Sequence, residues 1–135
     1  MKYPLDANVC IHFLRKKGSP LFKQRLLAHP PSDLVLCAPV KAELYHGAAC
    51  SANPAASRAQ VDAFVRKFLV LPMDDAAAST YAAVRFGLEA KGWPIGAFDV
   101  LIAAIALNHN LTLVTHNVGE FSRVSGLTLE DWEVP

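Results

Sequence analysis

The chain has little cysteine, almost no net charge and no long apolar run, and each shortage excludes a class of function. Its three cysteines, Cys10, Cys37 and Cys50, are odd in number and scattered, without a Cys-x-x-Cys or the Cys/His spacing of a zinc site. A disulfide framework is excluded, and reduced thiols in a reducing compartment are expected. Cys10 and His12 lie two apart in an apolar segment and read as packing before they read as a ligand pair. The longest apolar stretch, Val100 to Leu107, has 8 residues, far short of the ~20 that a membrane-spanning helix needs. The opening MKYPLDAN has no basic segment leading into an apolar one, so no signal peptide is expected and the protein should be soluble and cytoplasmic. Thirteen Lys and Arg against twelve Asp and Glu give a formal charge of +1, which is not the balance of an overtly basic nucleic-acid binder. There is no internal repeat and no low-complexity tract.

What is present suits one domain covering residues 1–135: the length falls in the usual range, and 53% of the residues are hydrophobic, enough for a substantial core. Charge is unevenly spread. Lys16, Lys17, Lys23, Arg25, Arg58, Arg66 and Lys67 fall in the first half, while Glu120, Glu130, Asp131 and Glu133 crowd the end. Such asymmetry permits local phosphate contact without requiring it.

Short strand signals alternate with helical ones. Residues 2–5 are extended; Asn8 is a good N-cap for a helix from Val9 to about Lys17, stopped by Gly18. Ser19-Pro20 starts a second helix that ends before His29-Pro30-Pro31. Leu34 to Ala38 reads as a buried strand, and Pro39 opens the next helix toward Ala49. Ala48 to Ser57 reads as a loop between helices. Val61, Phe64, Val65 and Phe68 repeat with helical spacing. Val70-Leu71-Pro72 is strand-like; Asp74 or Asp75 caps a long helix to Lys91, closed by Gly92, with Ala77, Tyr81, Val84 and Leu88 inward. Asp99 stands at the start of an apolar helix to about His109, Leu111 to Thr115 is the clearest strand, and Leu127 to Leu129 a final edge strand. The expected fold class is therefore α/β, with a parallel sheet covered on both faces. Ligands in such sheets bind beyond the carboxyl ends of the strands, which draws attention to Asp6, Asn8, Thr115 and Asn117.

Three acids stand out because their neighbours are apolar: Asp6, Glu43 (between Ala42 and Leu44) and Asp99 (between Phe98 and Val100). A carboxylate among core residues is costly unless paired, hydrogen-bonded or metal-bound. The plainer readings are helix caps for the two aspartates and a solvated helix face for Glu43; Asn8 is the better cap beside Asp6. Mg2+ and Mn2+ are hard cations that prefer oxygen ligands. Two of them about 3.5–4 Å apart can activate a water and stabilise the leaving oxygen of a phosphodiester. Acids converging from separate segments would supply such a site.

Leu5-Asp6-Ala7-Asn8, Glu43-Leu44 with Gly47, Pro94 through Asp99 leading into Leu101 to Ala104, and Leu113 through Asn117 with Glu120-Phe121 occur in the order seen in PIN-domain ribonucleases. The chain most resembles the VapC toxins of toxin–antitoxin pairs, and its closing Val124 to Trp132 resembles the end of that family. The resemblance implies a PIN-like three-layer α/β/α fold with a central, mainly parallel sheet. It also implies a divalent-metal-dependent endoribonuclease, with Asp6, Glu43 and Asp99 holding Mg2+ or Mn2+. Asn117 stands where many PIN domains have a fourth acid, as a ligand or water-positioning group. Asn8 and Thr115 are implied as outer or phosphate contacts. Ala7 replaces the usual Thr or Ser, which removes one hydroxyl. The implied partners are an RNA substrate, with initiator transfer RNA the first expectation, a VapB-like antitoxin, a second copy of the chain, and operator DNA only through the antitoxin. A basic antitoxin side chain entering the acidic pocket would displace metal and block RNA together.

Two rivals remain. A haloacid-dehalogenase-type phosphatase also begins with an Asp after the first strand, but it wants a second Asp where this chain has Asn8. A PIN-like interaction module without catalysis is kept open by Ala7 and Asn117. Among other candidates, His116 reads as a loop-surface histidine beside the site, Trp93 and Trp132 as packing or interface residues. Arg85 reads either as a counterion to the acidic pocket or as an exposed cation.

Overall fold

The structure is a computed structural model that describes residues 2–15 and 19–135. The elements run β1 (Tyr3–Pro4), α1 (Ala7–Leu14), α2 (Pro20–Leu27), β2 (Leu34–Cys37), α3 (Ala38–Ala49), α4 (Pro54–Val65), β3 (Leu69–Leu71), α5 (Asp75–Ala90), α6 (Ala97–Asn108), β4 (Leu113–Val114), α7 (Val118–Phe121) and β5 (Leu129–Glu130). Every strand pairing is parallel. β1 sets Tyr3 beside Leu34 of β2, β2 sets Val35 beside Leu69 of β3, and β4 sets Leu113 beside Leu129 of β5. A parallel bridge between Leu5 and Val114, with the Asp6 N–H donating to the Val114 carbonyl at 3.0 Å, joins the two sets in the order β3-β2-β1-β4-β5. The order reverses direction at β1, so a crevice opens beyond the carboxyl ends of β1 and β4.

The sheet stays short because the strands are apolar but bounded at once by proline, cap residues or turns. All four residues of β2 are buried, the pattern of a strand covered on both faces. The second cover is dominated by α5 against α6. Val100, Ile102, Ala103, Ala104, Ile105 and Ala106 of α6 are all buried, and the small alanines allow close approach. Ser19 caps α2 by accepting from the Phe22 N–H at 3.1 Å, with Pro20 at the first position. Asp74 does the same for α5 through Ala77 N–H at 2.9 Å, and Gly92, at φ 70°, takes the left-handed turn that ends it.

Several local expectations change. Asp6, not Asn8, caps α1: it has extended backbone and accepts from the Ala7 N–H, so the helix starts two residues earlier than expected. The expected end of that helix at Lys17 and Gly18 lies outside the described residues. The loop expected over 48–57 shrinks to 50–53, because α3 runs to Ala49 and Asn53 caps α4 by accepting from Ala56 N–H at 3.2 Å. Small residues there had read as loop, yet Pro54 is well placed in a helix's first turn. The last strand is shifted to Leu129–Glu130, and α7 went unnoticed in the sequence because it is a single turn. Among the described residues no helix is long and apolar enough to cross a membrane.

Candidate active site

Asp6 is the fixed point of the crevice. It is 4% exposed, and both its oxygens are used: Oδ1 accepts from Ala7 N–H at 2.7 Å and Oδ2 from the Thr115 hydroxyl at 2.8 Å. Thr115 is 1% exposed, and its Oγ1 accepts in turn from the Asn117 N–H at 3.0 Å. Asn117 ends this chain by donating from Nδ2 to Glu120 Oε2 at 3.3 Å. The carboxyl ends of β1 and β4 are thus stitched together by Asp6, Thr115 and Asn117, with Glu120 on α7 beyond.

Glu43, on α3, and Asp99, in the first turn of α6, face the same space. Burial, and then the Asp6 charge, raise the Glu43 carboxyl above its ordinary value. Asp99 is pushed up to about 6, first by burial and then by the charges of Asp6, Glu120 and Glu43. It stands close enough to Glu120 to share a hydrogen bond when one of the two is protonated. Asp6 itself is raised by burial, an effect its two hydrogen bonds oppose. No Lys or Arg among the described residues pairs with any of these four acids. Carboxylates facing carboxylates, without a cation from the protein, form a field that a divalent ion would reverse.

The all-oxygen donor set fits a hard ion. Asp6, Glu43 and Asp99 influence one another electrostatically, but their oxygens do not close into a trio within 4.8 Å; among the described residues the one such trio of ligand atoms is that of His116, Asp131 and Glu133, an imidazole nitrogen and two carboxylate oxygens. An open spacing is compatible with Mg2+, which binds through one or two carboxylates and keeps several waters.

Of the other sequence candidates, Asn8 is exposed on the first turn of α1. Arg85 is not a counterion to the pocket: it lies on the exposed face of α5, bonded to Glu89 at 3.0 Å and to the Tyr81 hydroxyl at 2.6 Å. Trp132 is buried and stacks on His29 at 4.7 Å between ring centroids, whereas Trp93 is largely exposed. Cys10 is buried, and His12 turns to Glu133. Sequence reasoning missed Glu120 as a site residue. The sequence sets it among the acids near the end of the chain and, with Phe121, in the PIN-like pattern, but gives it no role of its own; its spacing of three from Asn117, across one helical turn, is the further signal.

A parallel sheet with acids gathered at its switch point defines a class, and the sequence pattern of the PIN domain matches residues 3–127. The chain belongs to the PIN-domain family, and within it to the VapC proteins. It is 35% identical over 132 residues to the tRNA(fMet)-specific endonuclease VapC of Shigella flexneri, covering 98% of each chain. It is 32% identical over 133 residues to Ribonuclease VapC2 of Rickettsia felis, covering 98% of this chain and 99% of that one. The crystal structure of DNA-bound VapBC from Salmonella typhimurium superposes with a TM-score of 0.90 at 33% identity, covering 98% of each chain.

Proposed function

We propose that this chain, read as one PIN domain, is the toxin of a type II toxin–antitoxin pair and cuts RNA with a divalent metal held by Asp6, Glu43 and Asp99. The observation that carries the reading is the convergence of four carboxylates with no Lys or Arg paired to them among the described residues, in a chain that aligns over 98% of its length with curated VapC ribonucleases. The phosphatase rival loses ground because Asn8, in the place of its second Asp, is exposed on α1. The inactive module loses ground because Glu120 supplies the acid that Asn117 lacks.

When bound, Mg2+ or Mn2+ would supply the positive charge that brings a phosphodiester to the acids and lowers the pKa of a bound water. The residues supply position and proton control. Thr115 and the Ala7 N–H hold both Asp6 oxygens in place, so Asp6 enters the site in one orientation. Glu43 and Asp99 present oxygens from α3 and α6. Asp99, held up to about 6 by burial and by the charges of Asp6, Glu120 and Glu43, would be kept ionised by a bound cation and so stay available as a ligand at neutral pH. Asn117 is a positioning residue: its side-chain amide donates to Glu120 at 3.3 Å and its N–H to Thr115, which in turn holds Asp6.

Partner surfaces agree with this reading. An apolar groove of about 470 Å³ runs between α1, α2 and α4, with Phe13, Phe22, Leu26, Leu27 and Phe64 on its walls and Lys23 and Lys67 at its rim. Such a groove suits an antitoxin segment with an apolar face. Phe86 and Trp93 are exposed on and after α5, which suits pairing with a second copy. Initiator transfer RNA is the substrate expected by analogy with the tRNA(fMet)-specific endonuclease of Shigella flexneri; operator DNA would be reached only through the antitoxin.

Purified protein incubated with total transfer RNA should cleave it at one place, seen by mapping new 5′ ends. EDTA should abolish cleavage and added Mg2+ or Mn2+ restore it, while Glu43→Gln stays inactive with unchanged circular dichroism. Full cleavage in EDTA, or by Glu43→Gln, overturns the metal-site assignment.

A further inference from the structure

A second cluster lies at the outer end of the sheet, beyond β4 and β5. His116 Nδ1 is 2.9 Å from Asp131 Oδ2 and 3.4 Å from Glu133 Oε2, and one ligand atom from each of the three lies within 4.8 Å of the others. The side chains of Asp131 and Glu133 are only 9% and 15% exposed, whereas that of His116 is 57% exposed and leaves the cluster open to solvent. Glu133 Oε2 is buried and has no hydrogen-bond partner among the described residues. Such an orphan acceptor calls for an explanation, an unseen ion or water being the usual ones. Neither carboxylate pairs with a lysine or arginine side chain among the described residues.

We propose that His116, Asp131 and Glu133 bind a zinc-class transition-metal ion, distinct from the hard-ion site at Asp6, Glu43 and Asp99. Tetrahedral zinc, with bonds of about 2.0–2.1 Å, sets its ligand atoms about 3.3 Å apart. The observed 2.9 and 3.4 Å separations bracket that value. An imidazole nitrogen with two carboxylates suits Zn2+ better than Mg2+, which takes oxygen. The outer partners are in place too. His12 Nδ1 meets the other oxygen of Glu133 at 3.2 Å, and the Glu133 N–H donates to Asp131 Oδ1 at 3.0 Å. Arg25 donates to the Asp131 carbonyl at 3.0 Å. These contacts orient the ligand groups, as outer partners do at metal centres. Three protein ligands leave one position for water or for a partner's side chain. The ion would clamp the segment after β5 to the end of β4 and, through His12, to α1.

The test uses the full chain carrying Asp99→Asn, to weaken the inner site, and Cys50→Ser, to remove the exposed Cys50–His46 pair at 3.5 Å. Zn2+ alone should bind at one equivalent per chain in equilibrium dialysis and shift the His116 ring nitrogens in NMR, leaving exposed His109 unmoved. A diffraction peak at the zinc edge should lie between His116, Asp131 and Glu133. His116→Ala and Glu133→Gln should each weaken binding at least tenfold with circular dichroism unchanged. Zinc affinity unaltered by His116→Ala, an anomalous peak at Asp6 or Glu43 alone, or unmoved His116 resonances at saturation would each overturn the proposal. The NMR and diffraction arms need no ligand variant to fold. None of the arms reads RNA cleavage, so failure here leaves the ribonuclease reading standing, and the reverse.

Discussion

Two carboxylate clusters share one end of a parallel sheet, yet their surroundings differ. In the inner one, Asp6, Glu43, Asp99 and Glu120 face each other and drive Asp99 up to about 6. In the outer one, Asp131 and Glu133 face the imidazoles of His116 and His12. The inner group is built from four separate elements around a switch point, and all its candidate ligands are oxygens. The outer group takes two of its acids from one short segment after β5 and adds nitrogen. The difference teaches that acid count alone does not define a metal site: the donor atoms and what stands opposite them decide which ion fits.

The largest expected effect separates the clusters outright. Asp99→Asn should lower RNA cleavage by at least about a hundredfold, more than the 10–100-fold of an outer contact, while altering Zn2+ affinity at the outer cluster by less than about threefold, as independent sites should. The same variant should stabilise the metal-free protein at neutral pH. Asp99 has a folded-state pKa of about 6 against 3.8 for the ordinary group. The folded state therefore holds this proton more tightly, and the stability it contributes is full below 3.8 and lost as pH rises through about 6. Thermal unfolding in EDTA should show Asp99→Asn melting a few degrees above wild type at pH 7, the gap closing as pH falls below 4. A gap that widens in acid would contradict the crowding of charge in the inner pocket.

A smaller effect tests how the inner cluster is held. Thr115→Val keeps the shape but removes the hydroxyl that donates to Asp6 and accepts from Asn117. Cleavage should fall about 10–100-fold, with a loss of about 1–3 kcal/mol of stability for the unsatisfied carboxylate oxygen, measured by urea unfolding. Thr115→Ser should recover most of the activity. The smallest change belongs to Asn117→Ala, which removes the amide contact to Glu120 but no metal-binding charge. Its cleavage rate should fall severalfold and less than that of Thr115→Val; an unchanged rate would make Asn117 a loop residue only.

Much of this was legible in the sequence, for physical reasons. Short apolar runs bounded by Pro, Gly and cap residues marked the strands, and Asp6, Glu43 and Asp99 were conspicuous because ionised groups are rare among apolar neighbours. The cap of α1 was not legible, because Asp6 and Asn8 are both good caps and only the pairing of Leu5 with Val114 fixes where the strand ends. Glu120 hid among surface acids, since a one-turn helix has too few residues for periodicity. The outer cluster hid for another reason. His116 lies 15 residues from Asp131, so no ligand spacing signals it, and only the pairing of β4 with β5 brings the two together.

The hydrogen bond between Asp6 and Thr115 spans 109 positions of the chain. On the ribosome Asp6 is made 109 positions before Thr115, and β4 must pair beside β1 before either is held. Parallel pairings this distant form late, because the loop must be closed before any contact rewards it. The nascent chain would therefore carry its acids unassembled until β4 has been made. On the proposed reading, the ribosome making it works beside a harmless chain until β4 and β5 have paired, and an antitoxin already in the cell has that interval in which to meet it.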